Sequence, residues 1–206
     1  MMGNQVIIGY SGHAYVVLDA AIKAGLQVDA YAEKNQKNEN PFNLNYFGFE
    51  SDEYFEGWNK GYEYVLGIGN NQIREKVTDL IISKDEKLQT VIHPSVIMGY
   101  DVEIDAGSFL APGVIVNPLA RIGKAAIINT GTIIEHECKI GSFSHIAPGA
   151  ILAGNVTVGE RSFIGANAVV KEGVETGNDV IIGAGTVVLN NVKNGGKVVG
   201  NPGRLI

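Results

Sequence analysis

A strict six-residue period is the feature that most constrains this chain of 206 residues. From Ile92 to Val188 every sixth residue is aliphatic, and only Thr176 interrupts the row. Four positions after each of them stands a small or β-branched residue. This period matches neither the 3.6-residue helix nor plain strand alternation, but it fits a short strand plus a turn, used as one side of a triangular coil. The sequence therefore predicts a parallel β-helix, since the alternative, a β-sandwich, would not keep such a phase.

Three hexapeptides would make one turn of this coil. The aliphatic residues would point inward and stack at roughly the 4.8 Å spacing of hydrogen-bonded strands, and the small residues would fit the corners. Several glycines directly follow an inward residue, where we expect backbone freedom to help the turn. These glycines are Gly99, Gly123, Gly141, Gly159, Gly165, Gly177 and Gly183.

The segment before the repeats alternates strand and helix signals. Residues 5–10 form a short apolar run, residues 14–24 have helical spacing, and another strand begins at Val28. After a polar loop, residues 64–68 predict a buried strand and residues 72–83 an amphipathic helix. Because parallel strands need crossover connections, we expect a small parallel sheet flanked by helices.

Two domains follow from this change of pattern: a small Rossmann-like α/β domain over residues 1–88, and an all-β parallel β-helix with a C-terminal tail over residues 89–206. The net charge of -6 argues against nucleic acid as a partner, because that affinity rests largely on Lys and Arg. The single cysteine, Cys138, allows no internal disulfide. With no signal peptide and no window of roughly 18 apolar residues, we expect a cytoplasmic protein without membrane insertion.

The strongest chemical signal is the stretch NTGTIIEHECKIGSFSH over residues 129–145. His136 stands two positions after the inward Ile134, so it should project near a corner of the coil. Acyl transfer from a thioester needs a base that removes the proton of the nucleophile, and histidine titrates near neutral pH. A neighbouring carboxylate, here Glu135 or Glu137, can orient such a ring. The alternative is that His136 is an ordinary polar surface residue.

The stretches INTGTIIEHECKIGSFSH and APGAILAGNVTVG resemble the hexapeptide-repeat acyltransferases. Within them the sequence is most similar to the nucleotide-sugar amino N-acetyltransferases of bacterial glycan biosynthesis and the related sialic acid O-acetyltransferases. The resemblance implies a left-handed coil, a homotrimer with active sites between subunits, and acetyl-CoA as co-substrate. It also implies that His136 is the general base and that Glu137 increases its basicity. The acceptor would be the amine of a UDP-linked 4-amino sugar, which attacks acetyl-CoA directly.

The same resemblance implies how the co-substrate is held. His145 would lie near the thioester, Gly154 would supply an oxyanion-stabilising N–H, and backbone groups around Ala166 and Ala184 would line the pantetheine groove. The tail GGKVVGNPGRLI would close the coil near the adenine end of CoA, with Arg204 against a phosphate.

The loop GYSGH over residues 9–13 joins the first strand to the first helix, where N–H groups and the helix dipole favour a phosphate. It lacks the full GxGxxG fingerprint, so alone it indicates little. By resemblance, this domain binds the nucleotide sugar. Where the family has paired acids that read uracil and ribose, this sequence has Glu33 and Lys34. The implied acceptor-binding residues are Ser11, Gly12 and His13 at the diphosphate, Glu33 and Lys34, Gly69 and Asn70 at the next strand end, and Asn129.

Several alternative functions involve the same residues. Cys138 as a covalent acyl carrier conflicts with its small inward register, which predicts burial and a raised pKa. The same kind of coil carries three-histidine zinc sites, but His136 and His145 have no third histidine nearby, so we predict no metal. O-acetylation of sialic acid or another sugar, and a non-catalytic trimeric scaffold, stay open as alternatives.

Overall fold

The computed structural model describes residues 4–53 and 55–206 of the chain. The N-terminal part is a five-stranded parallel sheet with strand order β3-β2-β1-β4-β5 and two helices. Its elements are β1 Gln5–Ile8, α1 Gly12–Lys23, β2 Val28–Ala32, β3 Asn45–Tyr46, β4 Glu63–Leu66, α2 Asn71–Ser83 and β5 Lys87–Leu88.

This sheet confirms the predicted α/β class, with small differences at the element ends. The two-residue strands β3 and β5 lie at the sheet edges and were not predicted, because so few residues carry no periodic signal. Helix α1 begins at Gly12, inside the predicted loop, and Ser11 is its N-cap. The amides of Gly12 and His13 in the GYSGH loop therefore belong to a helix N-terminus.

The second part is a parallel β-helix, which confirms the predicted coil. Strands three hexapeptides apart pair in register, as Ile97 pairs with Ile115 and Ile115 with Ile133, and the strands form three sheets. In chain order the coil strands are β6 Val91–Ile92, β7 Ile97–Met98, β8 Glu103–Ile104, β9 Phe109–Leu110, β10 Ile115–Val116, β11 Arg121–Ile122, β12 Ile127–Ile128, β13 Ile133–Ile134, β14 Lys139–Ile140, β15 His145–Ile146, β16 Ile151–Leu152, β17 Thr157–Val158, β18 Phe163–Ile164, β19 Val169–Val170, β20 Glu175–Thr176, β21 Ile181–Ile182 and β22 Val187–Val188, followed in the tail by β23 Lys197–Val199 and β24 Arg204–Leu205.

The inward aliphatic row forms the core of the coil. From Leu110 to Val188 every member is buried, and Thr176 is buried with them, with its hydroxyl 3.5 Å from the Thr157 carbonyl oxygen. At the N-terminal end Met98 is 41% exposed, because no earlier turn covers it. The predicted boundary at residue 88 falls between β5, in the first sheet, and β6, in the coil. Among the described helices, none has the length and apolar character to cross a bilayer.

The expected role of the corner glycines was wrong. None of them has a positive φ, and a Cβ would collide with the next turn: at Gly141 it would lie 2.5 Å from the Glu160 nitrogen, and at Gly165 2.5 Å from the Ala184 nitrogen. Left-handed backbone occurs instead two residues later in each corner, as at Glu137 with φ of 62°. Close packing between turns, not backbone freedom, therefore selects these glycines.

Candidate active site

His136 lies at the corner that joins β13 to β14. Its Nδ1 is 3.1 Å from Oε2 of Glu137, and both side chains are more than half exposed. If Nδ1 carries the proton, it donates to the carboxylate, and Nε2 keeps its lone pair free. The corner thus presents an oriented imidazole whose free nitrogen can accept a proton.

Gly154 occupies the equivalent place in the next turn of the coil. A Cβ there would lie 2.6 Å from both Cε1 and Nε2 of His136, so the imidazole rests directly over this glycine. Within the described residues the Gly154 amide donates no hydrogen bond, while its carbonyl accepts one from Gly173. We call His136, Glu137 and Gly154 the His136 corner.

The His136 corner separates two coil faces of different character. On the six-stranded face the outward residues are all β-branched and apolar, whereas Glu103, Lys139 and Glu175 are among the outward residues of the five-stranded face. The apolar row runs along the whole face and, in one chain, is half-buried except for the exposed Ile97. It consists of Ile97, Ile115, Ile133, Ile151, Val169 and Val187.

His145 lies on the third face, where the first domain packs against the coil. Its Nε2 is 3.1 Å from Nδ2 of Asn129, and its Nδ1 is 3.4 Å from the Gly69 carbonyl oxygen. The ring of His13 approaches it to 6.0 Å between centroids. Burial, together with the nearby Arg74, lowers the pKa of His145 to about 4. His145 therefore links Asn129 of the coil to Gly69 of the first domain. We call Asn129, His145 and Gly69, with the adjoining His13 and Arg74, the seam.

The ring of His13 lies at the seam. Its ring packs edge-on against Phe109, and its Nε2 is buried without a partner among the described residues. Burial, with Arg74 again nearby, lowers the pKa of His13 to about 4. The predicted diphosphate contact of this residue remains a prediction.

Arg74 in α2 joins the two domains, and no sequence motif marked it. Only 1% of it is exposed, and it donates to the carbonyl oxygens of Ala125 at 2.7 Å, Phe143 at 2.7 Å and Gly69 at 3.1 Å. Burial lowers its pKa to about 9. Within the described part of the chain it has no carboxylate partner. Its charge is instead neutralised by backbone dipoles at the coil corners.

A cavity of about 320 Å³ opens at the carboxyl ends of β1, β2 and β4. Ser11, Glu33, Gly69 and Asn70 line it, as the sequence predicted for parallel strands that end at one edge. Gly12 lies beside Ser11, and a Cβ there would meet nothing within 4 Å. Asn70 caps α2 by accepting a hydrogen bond from the Ile73 amide at 3.0 Å.

The carboxylate of Glu33, in this cavity, is already hydrogen-bonded by its own chain. It accepts from the Tyr10 amide at 3.2 Å and the Lys34 amide at 3.0 Å, and Lys37 Nζ lies 3.4 Å away. The side chain of Lys34 is exposed. A second acid, Glu50, also lines the cavity and was missed, because it follows β3 in a segment without periodic signal.

A second cavity, of about 470 Å³, continues from Gly69 and Asn70 along the coil. Phe163 and Ile181 form its floor. Ala166 and Ala184 are corner residues, each three positions beyond one of these two strand residues; Ala166 is half-buried and Ala184 is exposed. Arg204 is exposed in β24, which pairs antiparallel with β23 and extends the same coil face.

Cys138 is fully buried, as its register predicted. Its Sγ lies 3.2 Å from the Ala153 carbonyl oxygen, and burial raises the pKa of the thiol to about 11, which makes it a poor nucleophile. Across residues 4–53 and 55–206, no group of three or more His, Cys, Asp or Glu side chains is arranged to hold a metal ion.

The chain matches two family models: the PglD N-terminal domain over residues 4–81, and the bacterial transferase hexapeptide (six repeats) over residues 138–172 and 155–190. Fold and repeats together define a hexapeptide-repeat transferase.

Solved structures narrow this class. The acetyltransferase domain of PglB from Neisseria gonorrhoeae is 26% identical, with a TM-score of 0.91 over 98% of this chain and 99% of that one. A mutant of perosamine N-acetyltransferase from Caulobacter crescentus, solved with CoA and GDP-perosamine, is 31% identical, with a TM-score of 0.92 over 100% and 98%. WeeI from Acinetobacter baumannii is 25% identical, with a TM-score of 0.88 over 98% and 100%. The chain belongs to the sugar N-acetyltransferases of the left-handed β-helix family, and it is an acyltransferase.

Proposed function

We propose that this protein transfers the acetyl group of acetyl-CoA to the amine of a nucleotide-linked amino-deoxysugar, with His136 as general base. The observation that carries the proposal is the His136 corner: an exposed imidazole, hydrogen-bonded to Glu137 through Nδ1, with Nε2 directly over Gly154. Nε2 takes a proton from the amine, the amine nitrogen attacks the acetyl carbonyl, and the tetrahedral intermediate collapses by breaking the C–S bond and releasing CoA thiolate. The free Gly154 amide is placed to stabilise the oxyanion.

The proposed assembly is a homotrimer with each active site between two subunits. In one chain, no residue of the His136 corner lines either cavity at the first domain. The apolar row on the six-stranded face borders the His136 corner and needs a cover, which a second copy supplies. A neighbour packed there would bring its own cavities to His136. The acceptor then lies with Ser11, Gly12 and Asn129 of one subunit, and CoA runs past His145, Ala166 and Ala184 towards Arg204.

Two nucleotides, UDP and GDP, are candidates for the group that carries the sugar. The sequence resemblance favours a UDP-linked 4-amino sugar, whereas the similar perosamine N-acetyltransferase was solved with GDP-perosamine. Incubation with acetyl-CoA and a panel of UDP-, TDP- and GDP-linked amino sugars, followed by thiol release, tests the proposal. We expect turnover with one nucleotide series and amide formation on the sugar. Turnover with sialic acid alone would favour the O-acetyltransferase, and no thiol release with any acceptor would favour the scaffold.

A further inference from the structure

Glu50 is a buried acid that no cation of the folded chain neutralises. Only 6% of it is exposed, its carboxylate forms no ion pair with a described residue, and it accepts a hydrogen bond only from its own backbone amide. Burial raises the pKa of its carboxyl, and Glu33 and Asp52 raise it further through their charges. Leaving such a group unsatisfied costs free energy, so an arrangement of this kind is kept where a ligand supplies the donors.

The position of Glu50 is fixed relative to the nucleotide loop. The Glu33 amide donates to the Gly48 carbonyl at 3.0 Å, which holds the segment bearing Glu50 beside the end of β2. Glu50 lines the same cavity as Ser11 of the diphosphate loop, and Phe49 and Ile73 add apolar surface there. A flat base with polar edge groups fits this combination.

We propose that Glu50 reads the base of the nucleotide sugar and that the base is guanine; this inference rests on the proposed function. The carboxylate of Glu33 already accepts hydrogen bonds from its own chain, so Glu50 is the acid that remains available to the ligand. A carboxylate accepts two parallel hydrogen bonds. Guanine presents two neighbouring donors, N1–H and the N2 amine, on one edge, whereas uracil and thymine present a single N–H between two carbonyls that would repel a carboxylate.

The test is calorimetric titration of the full-length protein with GDP, UDP and dTDP. We expect GDP to bind most tightly. Glu50→Gln should weaken GDP about 10- to 100-fold, because the amide accepts only one of the two donors. It should leave UDP unchanged or tighter, since an amide complements the N3–H and carbonyl pair of uracil. Glu56→Gln, an exposed acid outside the cavity, is the charge-matched control.

Tightest binding of UDP, or equal weakening of GDP and UDP by Glu50→Gln, would overturn the guanine assignment. The proposed function would survive that result, because a nucleotide would still bind. If none of the three diphosphates bound, both the assignment and the nucleotide-sugar function would fail. Melting temperatures of the variants separate loss of recognition from loss of fold.

Discussion

Two histidines nine residues apart illustrate how one coil creates opposite environments. His136 is exposed at a corner beside a carboxylate, whereas His145 is buried at the seam beside Arg74. The first presents an exposed ring to an incoming group. The second is kept neutral and can only donate or accept hydrogen bonds. We therefore assign proton transfer to His136 and the positioning of neighbouring groups by hydrogen bonds to His145.

Replacing the corner imidazole should give the largest effect. We expect His136→Ala to lower kcat by about 10³-fold, within the range typical of general bases. The melting temperature should stay unchanged, because more than half of the His136 side chain is exposed. Steady-state kinetics and thermal melting check this. His93→Ala, at a half-buried histidine near the start of the coil, is the control. A rate near that of the wild type would remove His136 from the mechanism.

Arg74→Met tests whether the seam is structural. The variant removes the donors of several buried carbonyl oxygens, so we expect it to lower the free energy of unfolding by about 2–4 kcal/mol. Chemical denaturation measures the loss. A stable variant with reduced kcat would instead place Arg74 in the chemistry.

The lowered pKa of His145 gives a pH dependence of stability. The folded-state pKa of about 4 lies below that of the unfolded chain, so the contribution is complete above roughly pH 6.5 and is lost as the pH falls towards 4. It amounts to at most about 3 kcal/mol. Between these pH values, the melting temperature should change less with pH in His145→Gln than in the wild type. An unchanged slope in His145→Gln would contradict the seam assignment.

Gly154→Ala should give the smallest effect and probes the corner itself. The added methyl group would meet the His136 ring at 2.6 Å and push it from its place. Because the ring is an exposed side chain that can move, we expect little change in melting temperature but about a tenfold lower kcat. Unchanged kinetics would mean that the position of the ring over Gly154 does not matter.

The sequence predicted these two regions unequally. A strict period located the coil and placed His136 at a corner, since the position of a residue in a repeat fixes its direction. It could not predict that His145 and His13 would meet, because that contact depends on how the first domain packs on the coil. Arg74 and Glu50 were missed for the same reason: their partners and cavity come from distant parts of the chain, and neither stands in a motif.

An active site shared between two subunits is the central feature of the proposed enzyme, and mixed trimers test it directly. Gly12→Asp places a negative charge at the predicted diphosphate loop, where a Cβ meets no other atom within 4 Å, so it should block the acceptor without unfolding the protein. His136→Ala removes the base. Each variant alone should be inactive, and co-assembled subunits should regain roughly a quarter of wild-type activity by random assortment. No activity above that of the separate variants would place His136 and the acceptor in the same chain.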